Sequence, residues 1–122
     1  MAYDVHIVRT ESWLDAASDP IPKEQVDALI AADPELGWSS ADWVDMRAGR
    51  GKAVTRYYMI LWNGSPCFWW YRDQITCAGP SEEQVGKMVA MAAALGANVV
   101  GDDGEAYRPG TWRAVYRGEV KG

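Results

Sequence analysis

The chain holds few side chains able to make or break a covalent bond. One histidine, His6, and two cysteines, Cys67 and Cys77, are the whole stock of imidazole and thiol. A serine or cysteine nucleophile needs a base within hydrogen-bonding reach, and nothing in the spacing brings His6 to Cys67 or Cys77. One His with two Cys also leaves a four-ligand zinc site one ligand short, and the spacing fits no zinc motif. Gly101-Asp102-Asp103-Gly104-Glu105 gathers three carboxylates in a turn, but it lacks the alternating acidic ligands and the later glutamate of a calcium loop. Gly49-Arg50-Gly51-Lys52 lacks the Gly-x-x-x-x-Gly-Lys-Ser/Thr spacing by which successive backbone amides surround phosphate, and reads as a flexible basic loop. Paired carboxylates could do acid–base work, yet acids are so numerous that no pair stands out. The residue types point away from an enzyme, call for no metal or cofactor, and leave recognition as the better expectation.

Charge narrows the kind of partner. The net charge is −5, with 17 acids against 12 bases, and it is laid down in blocks. Residues 1–46 and 73–105 are strongly acidic, whereas residues 47–72 carry Arg47, Arg50, Lys52, Arg56 and Arg72 with no acid, and residues 108–122 form a basic tail. Such a surface repels nucleic acid over most of its area and steers encounter with a basic protein, of which a nuclease domain is one example. The start of the chain shows neither a basic segment nor an apolar run, and no stretch approaches the roughly 20 apolar residues that span a bilayer. The expectation is a cytoplasmic protein without a membrane partner, its cysteines reduced.

The elements that must position any site are legible in part. At 122 residues and 48% apolar content, the chain suits one domain with one core over 1–122. Tyr3–Arg9 reads as a strand with Asp4, His6 and Val8 on one face and Val5 and Ile7 on the other. Pro22–Ala32 places Val26, Leu29 and Ile30 at helical spacing and stops before Asp33-Pro34. Ser81 to Gln84 forms a capping box ahead of Val85, Met88, Val89, Ala92 and Leu95, and Gly96 suits the left-handed turn that ends a helix. A short strand at Ala97–Val100 follows.

Asn63-Gly64 between two apolar runs, Val54–Trp62 and Cys67–Tyr71, is the strongest hairpin signal in the chain. A regular register pairs Trp62 with Ser65, Ile60 with Cys67 and Tyr58 with Trp69. Tyr57, Met59, Leu61, Phe68 and Trp70 then share one face, with Tyr58, Ile60, Trp62, Cys67, Trp69 and Tyr71 on the other. A turn at Arg72-Asp73 adds Gln74–Ala78, with Trp70 opposite Ile75 and Phe68 opposite Cys77. Cys67 and Cys77 fall on opposite faces, so no disulfide is expected, although a one-residue slip would bring them together. The architecture expected is α+β: a mostly antiparallel sheet of five or six strands with two helices on one face.

Two helices cover one face of such a sheet, yet its central strands are apolar on both. Tyr58, Trp62, Trp69 and Tyr71, bordered by Arg56 and Gln74, form a candidate recognition face, because they join large apolar bodies to hydroxyl or indole donors. The competing reading is that Trp38, Trp43 or Trp112 folds over this face and completes the core. Asp102, Asp103 and Glu105 are the leading acidic candidates for contact, with Glu35, Asp42 and Asp45 a second acidic group.

The opening Tyr3-Asp4-Val5-His6-Ile7-Val8-Arg9 with Trp13, and the late helix followed by Gly101-Asp102-Asp103-Gly104-Glu105-Ala106-Tyr107, resemble a group of small immunity proteins of bacterial polymorphic toxin systems, of the contact-dependent growth inhibition or type VI secretion kind. The resemblance spans the order of elements over most of residues 3–107, and the basic tail after Tyr107 departs from it. It implies a cytoplasmic, non-catalytic protein that binds and neutralises a cognate toxin domain by stoichiometric inhibition. The alternative expectation is a small-ligand binding module whose aromatic face stacks a planar or sugar-like compound.

Overall fold

β-Branched residues at Asp4–Val8 form β1, and a 3-10 helix follows at Trp13–Ser18, its first turn capped by the Ser12 hydroxyl, which accepts from the Leu14 amide. α1 (Lys23–Ala32) begins after Pro22 and ends at Asp33, before a proline that cannot continue it. β2 (Leu36–Arg47), β3 (Val54–Trp62), β4 (Ser65–Tyr71) and β5 (Gln74–Ala78) form a run of neighbouring strands. α2 (Glu82–Leu95) carries the complete Ser81–Gln84 capping box and closes on Gly96 in the left-handed region. β6 (Asn98–Gly101) and two short strands, β7 (Ala106–Tyr107) and β8 (Ala114–Val115), complete the order. The structure, a computed structural model, describes residues 3–47, 54–107 and 114–115, with side chains over 3–39 and 57–107.

The fold is α+β. One antiparallel sheet runs β2-β3-β4-β5-β1-β6-β7-β8, so β1 inserts at the centre between β5 and β6. Eight strands exceed the five or six expected because β2 and the two-residue pieces β7 and β8 leave little trace in the sequence. Gly37, Ser39, Ser40 and Ala41 break any strand pattern in β2, and its register with β3 is irregular between Trp38 and Trp43.

Both long helices lie on one face. Val26 of α1 and Val85, Met88, Val89, Met91, Ala92 and Leu95 of α2 pack on Val5, Ile7, Ile60, Phe68, Ile75, Cys77 and Val99. The 3-10 helix lies on the other face, where Ala16 packs with Val8 and Val100 under a half-buried Trp13. The division of β1 into Val5 and Ile7 against His6 and Val8 holds.

The β3–β4 hairpin departs from the regular register. Asn63 and Gly64 both take positive φ, as the tight turn requires, and Trp62 pairs with Ser65. Leu61 then pairs with Pro66 but Ile60 with Phe68, so Cys67 is an extra residue in a β-bulge. Pro66 has no amide hydrogen to give the ladder, which favours an irregularity at that point. Beyond the bulge every partner is displaced by one, so Tyr58 faces Trp70 and Met59 faces Trp69. The β4–β5 register, with Trp70 opposite Ile75, is the expected one.

This one-residue shift overturns the expected division of faces. Tyr58, Ile60, Trp62, Phe68 and Trp70 share the helix-covered face, and Tyr57, Met59, Leu61, Trp69 and Tyr71 share the other. It also overturns the separation of the cysteines. Cys67 packs against the same core cluster that contains Cys77, and both are free thiols.

Candidate binding surface

Among the described residues, the second face is closed at one end only. The Tyr57 and Tyr71 rings stack in parallel, 4.4 Å between centroids and 4° between planes, and the Arg72 guanidinium lies 5.7 Å from the Tyr71 ring. With Met59, Leu61 and Trp69 they are half-buried and belong to neither core cluster. Among the described residues, the hydroxyls of Tyr57 and Tyr71 and the Trp69 indole nitrogen find no hydrogen-bond partner. The result is an apolar strip with polar tips.

Beside it, at the β5–β1–β6 end, stands a polar corner. Tyr71 pairs with Gln74, whose amide nitrogen reaches the Trp13 carbonyl at 3.5 Å. The Trp13 ring stacks on His6 at 4.6 Å and its indole donates to the Asp102 carbonyl at 3.2 Å. His6 is 4% exposed; its Nε2 lies 2.8 Å from Asp102 Oδ1 and its Nδ1 3.2 Å from the Thr76 hydroxyl. Burial pushes the Asp102 carboxyl up, but the hydrogen bonds from His6 and the Asp4 amide outweigh it and hold it below the ordinary carboxylate value. Asp102 therefore accepts from Nε2, while Nδ1 engages the Thr76 hydroxyl. The chain Asp102–His6–Thr76 resembles a catalytic relay in outline. Both ring nitrogens are spoken for, Thr76 is 6% exposed and Trp13 roofs the imidazole, so the group braces the corner.

The three acids of the 101–105 turn part company. Asp103 alone is exposed; its amide donates to the Tyr3 hydroxyl. Glu105 is 2% exposed: Oε2 accepts from the Tyr3 and Tyr107 hydroxyls, and Oε1 is buried without a partner. Glu105 is thus withdrawn from the contact surface proposed for it, because the turn folds it inward over Gly101, where a Cβ would collide with its carboxylate. Burial and the Glu105 carboxylate raise the Tyr3 pKa above the ordinary phenol value.

The remaining candidates also separate. Tyr58 and Trp62, on the helix side, are not part of the open strip. Tyr58 lies edge-on to Trp38, and Lys23 Nζ sits 4.9 Å and 4.7 Å from those two rings. Trp38 belongs to the helix-side core and so does not roof the second face; Trp43 and Trp112 lie outside the described side chains. Trp62 donates to Glu35, whose carboxylate Lys87 of α2 shares with Asp33 at 2.7 Å each. The Lys87 hydrogen bonds hold Asp33 and Glu35 below the usual carboxylate range; burial alone would lower Lys87, and the two carboxylates outweigh it and raise it. Glu35 is therefore a tie between α2 and the start of β2. Asp42, Asp45 and Arg56 lie outside the described side chains.

Tyr57 and Met59 were assigned to the core and stand instead on the open strip with Trp69 and Tyr71. The signal that could have placed them is Pro66, one residue beyond the turn in a strand that must pair on both sides. Leu14, 74% exposed on the 3-10 helix, is a further apolar residue the pattern did not single out, flanked by exposed Glu11, Asp15 and Asp19.

Chemically, the surface can stack and donate, and its rim can attract positive charge. Among the described residues no three His, Cys, Asp or Glu side chains converge to hold a metal ion, and no helix is long and apolar enough to cross a membrane. A groove of about 540 Å³ between α1 and the end of α2, lined by Arg9, Gln25, Leu29 and Leu95, lies on the helix side, away from the aromatic strip. Compared with known protein families, curated proteins and solved structures, the chain finds no match.

Proposed function

We propose that this protein is an immunity protein that binds a basic toxin domain stoichiometrically and neutralises it without performing a reaction. The observation that carries this reading is the strip of Tyr57, Met59, Trp69 and Tyr71, half-buried and outside both core clusters. Rigid aromatic rings with polar tips are the anchors enriched at binding hot spots. Two features support the basic character of the partner. The 3-10 helix beside the strip and its C-cap expose Asp15 and Asp19 near Leu14, and Asp103 is exposed on the turn behind it. Acids at a rim raise the association rate with a positively charged partner, while desolvated rings at the centre set its lifetime. The buried Asp102–His6–Thr76 chain favours binding over catalysis, since it supports Trp13 and offers no free base.

The test is co-expression with the product of the neighbouring toxin-encoding reading frame, scored by co-purification and by rescue of growth. The wild-type chain rescues growth, and Trp69→Ala with Tyr71→Ala loses both rescue and co-purification while remaining folded. Changing Asp15 and Asp103 to Lys slows association and weakens its salt dependence. Full rescue by the folded Trp69/Tyr71 variant would remove the strip from the interface, and absence of any complex between the wild-type proteins would overturn the reading.

A further inference from the structure

We propose that Cys67 and Cys77 form a latent dithiol, which a low-molecular-weight disulfide closes into a cross-strand disulfide between β4 and β5. This inference is independent of any binding partner. Its basis is the bulge. In a regular hairpin Cys67 would point away from Cys77; as the extra residue between Pro66 and Phe68 it turns to the helix side and joins the core cluster that holds Cys77. One step beyond the ladder pair Trp69–Thr76, Phe68 falls opposite Cys77, so Cys67 is one residue along the strand from a directly facing position. A strand separation of about 5 Å combined with a rise of about 3.4 Å gives a Cα–Cα distance near 6 Å, inside the range that disulfides span.

The two thiols lie close enough to influence each other's titration, and the Cys77 thiol points toward the Ala78 carbonyl at 4.0 Å. Their exposures differ in a useful way: Cys67 is half-buried and reachable, whereas Cys77 is 2% exposed. Burial raises both thiols, Cys77 to about 12, so the pair rests as thiols near neutrality and reacts faster as pH rises. The order of events follows. Cys67 gives its proton to water and its thiolate attacks one sulfur of a reagent such as oxidised glutathione, forming a mixed disulfide and releasing one glutathione thiolate. Cys77 then loses its proton, attacks the Cys67 sulfur and expels the second glutathione thiolate. Two cysteines are oxidised, one glutathione disulfide is reduced to two thiolates, and the two cysteine protons released to solvent balance those the thiolates take up.

The experiment treats the folded full-length chain with oxidised glutathione at mildly alkaline pH, with intact mass and thiol titration as readouts. The expected product has lost two hydrogens, shows no titratable thiol, and yields a peptide joining Cys67 to Cys77 on non-reducing digestion. Cys77→Ser stops at the mixed disulfide on Cys67, and Cys67→Ser reacts far more slowly than either. A wild-type chain that stops at the mixed disulfide, that cross-links only to a second copy, or that closes only in urea would overturn the proposal.

Discussion

Both faces of the sheet carry aromatic rings and treat them differently. On the helix face the rings with a polar tip are held: Trp38 to Asp27, Trp62 to Glu35, Trp70 to the Ile21 carbonyl, and Tyr58 under the Lys23 ammonium. On the other face Tyr57 and Tyr71 stack on one another and Trp69 stands beside Met59 with its indole nitrogen unbonded among the described residues. Aromatic content alone therefore does not separate core from contact surface. The difference lies in whether the polar tips are already used.

Substitution should separate the faces sharply. Phe68→Ala empties a fully buried site and is expected to cost about 3–5 kcal/mol in urea unfolding. Trp69→Ala, its chain neighbour on the open face, should lose less than half of that, because its ring is only half removed from water. Equal losses would show that the second face is as much core as the first.

The corner that closes the second face is tested by Gly101→Ala. The added methyl meets the Glu105 carboxylate, and a loss of about 1–3 kcal/mol is expected. In the Gly101→Ala, Glu105→Ala double variant the losses should fall short of additivity, since removing the carboxylate relieves the collision. Gly96→Ala probes the covered face at the end of α2, where φ is +64° and a side chain is strained by about 1 kcal/mol, readable as a lowered melting temperature.

The smallest effect expected is in pH dependence. Asp102, Asp33 and Glu35 have folded-state pKa values below their ordinary values of 3.8, 3.8 and 4.5, so their contribution is full above those values and is lost as pH falls through the folded ones. Lys87 is raised above 10.5, so its contribution is full below that value and is lost as pH rises through the folded one. Urea midpoints should hold steady between these limits and fall on both sides. Asp102→Asn flattens the acid limb and Lys87→Met the alkaline limb, one variant for each face.

Much of this arrangement is legible in the sequence. Ser81, Gln84 and Gly96 delimit α2, Asn63-Gly64 marks the hairpin, and the alternation of Val5, His6, Ile7 and Val8 divides β1 because local chemistry decides each. The assignment of Tyr57 and Tyr58 failed because a hairpin register counts residues, and one extra residue at Cys67 reverses all that follow. β2 was missed because Gly37, Ser39, Ser40 and Ala41 have little strand preference and are held by pairing to β3. The acids of the 101–105 turn were read as equivalent, whereas only the folded turn distinguishes exposed Asp103 from Glu105, enclosed by Tyr3 and Tyr107.

The supernumerary residue at position 67 can be absorbed because β3 keeps a partner on either side of it, Pro66 for Leu61 and Phe68 for Ile60. Excising it would restore strict alternation with every partner kept, Ile60 still opposite Phe68 and Tyr58 still opposite Trp70, so neither face would exchange its rings. A single-codon deletion there would leave the aromatic layout intact and strip Cys77 of its neighbouring sulfur.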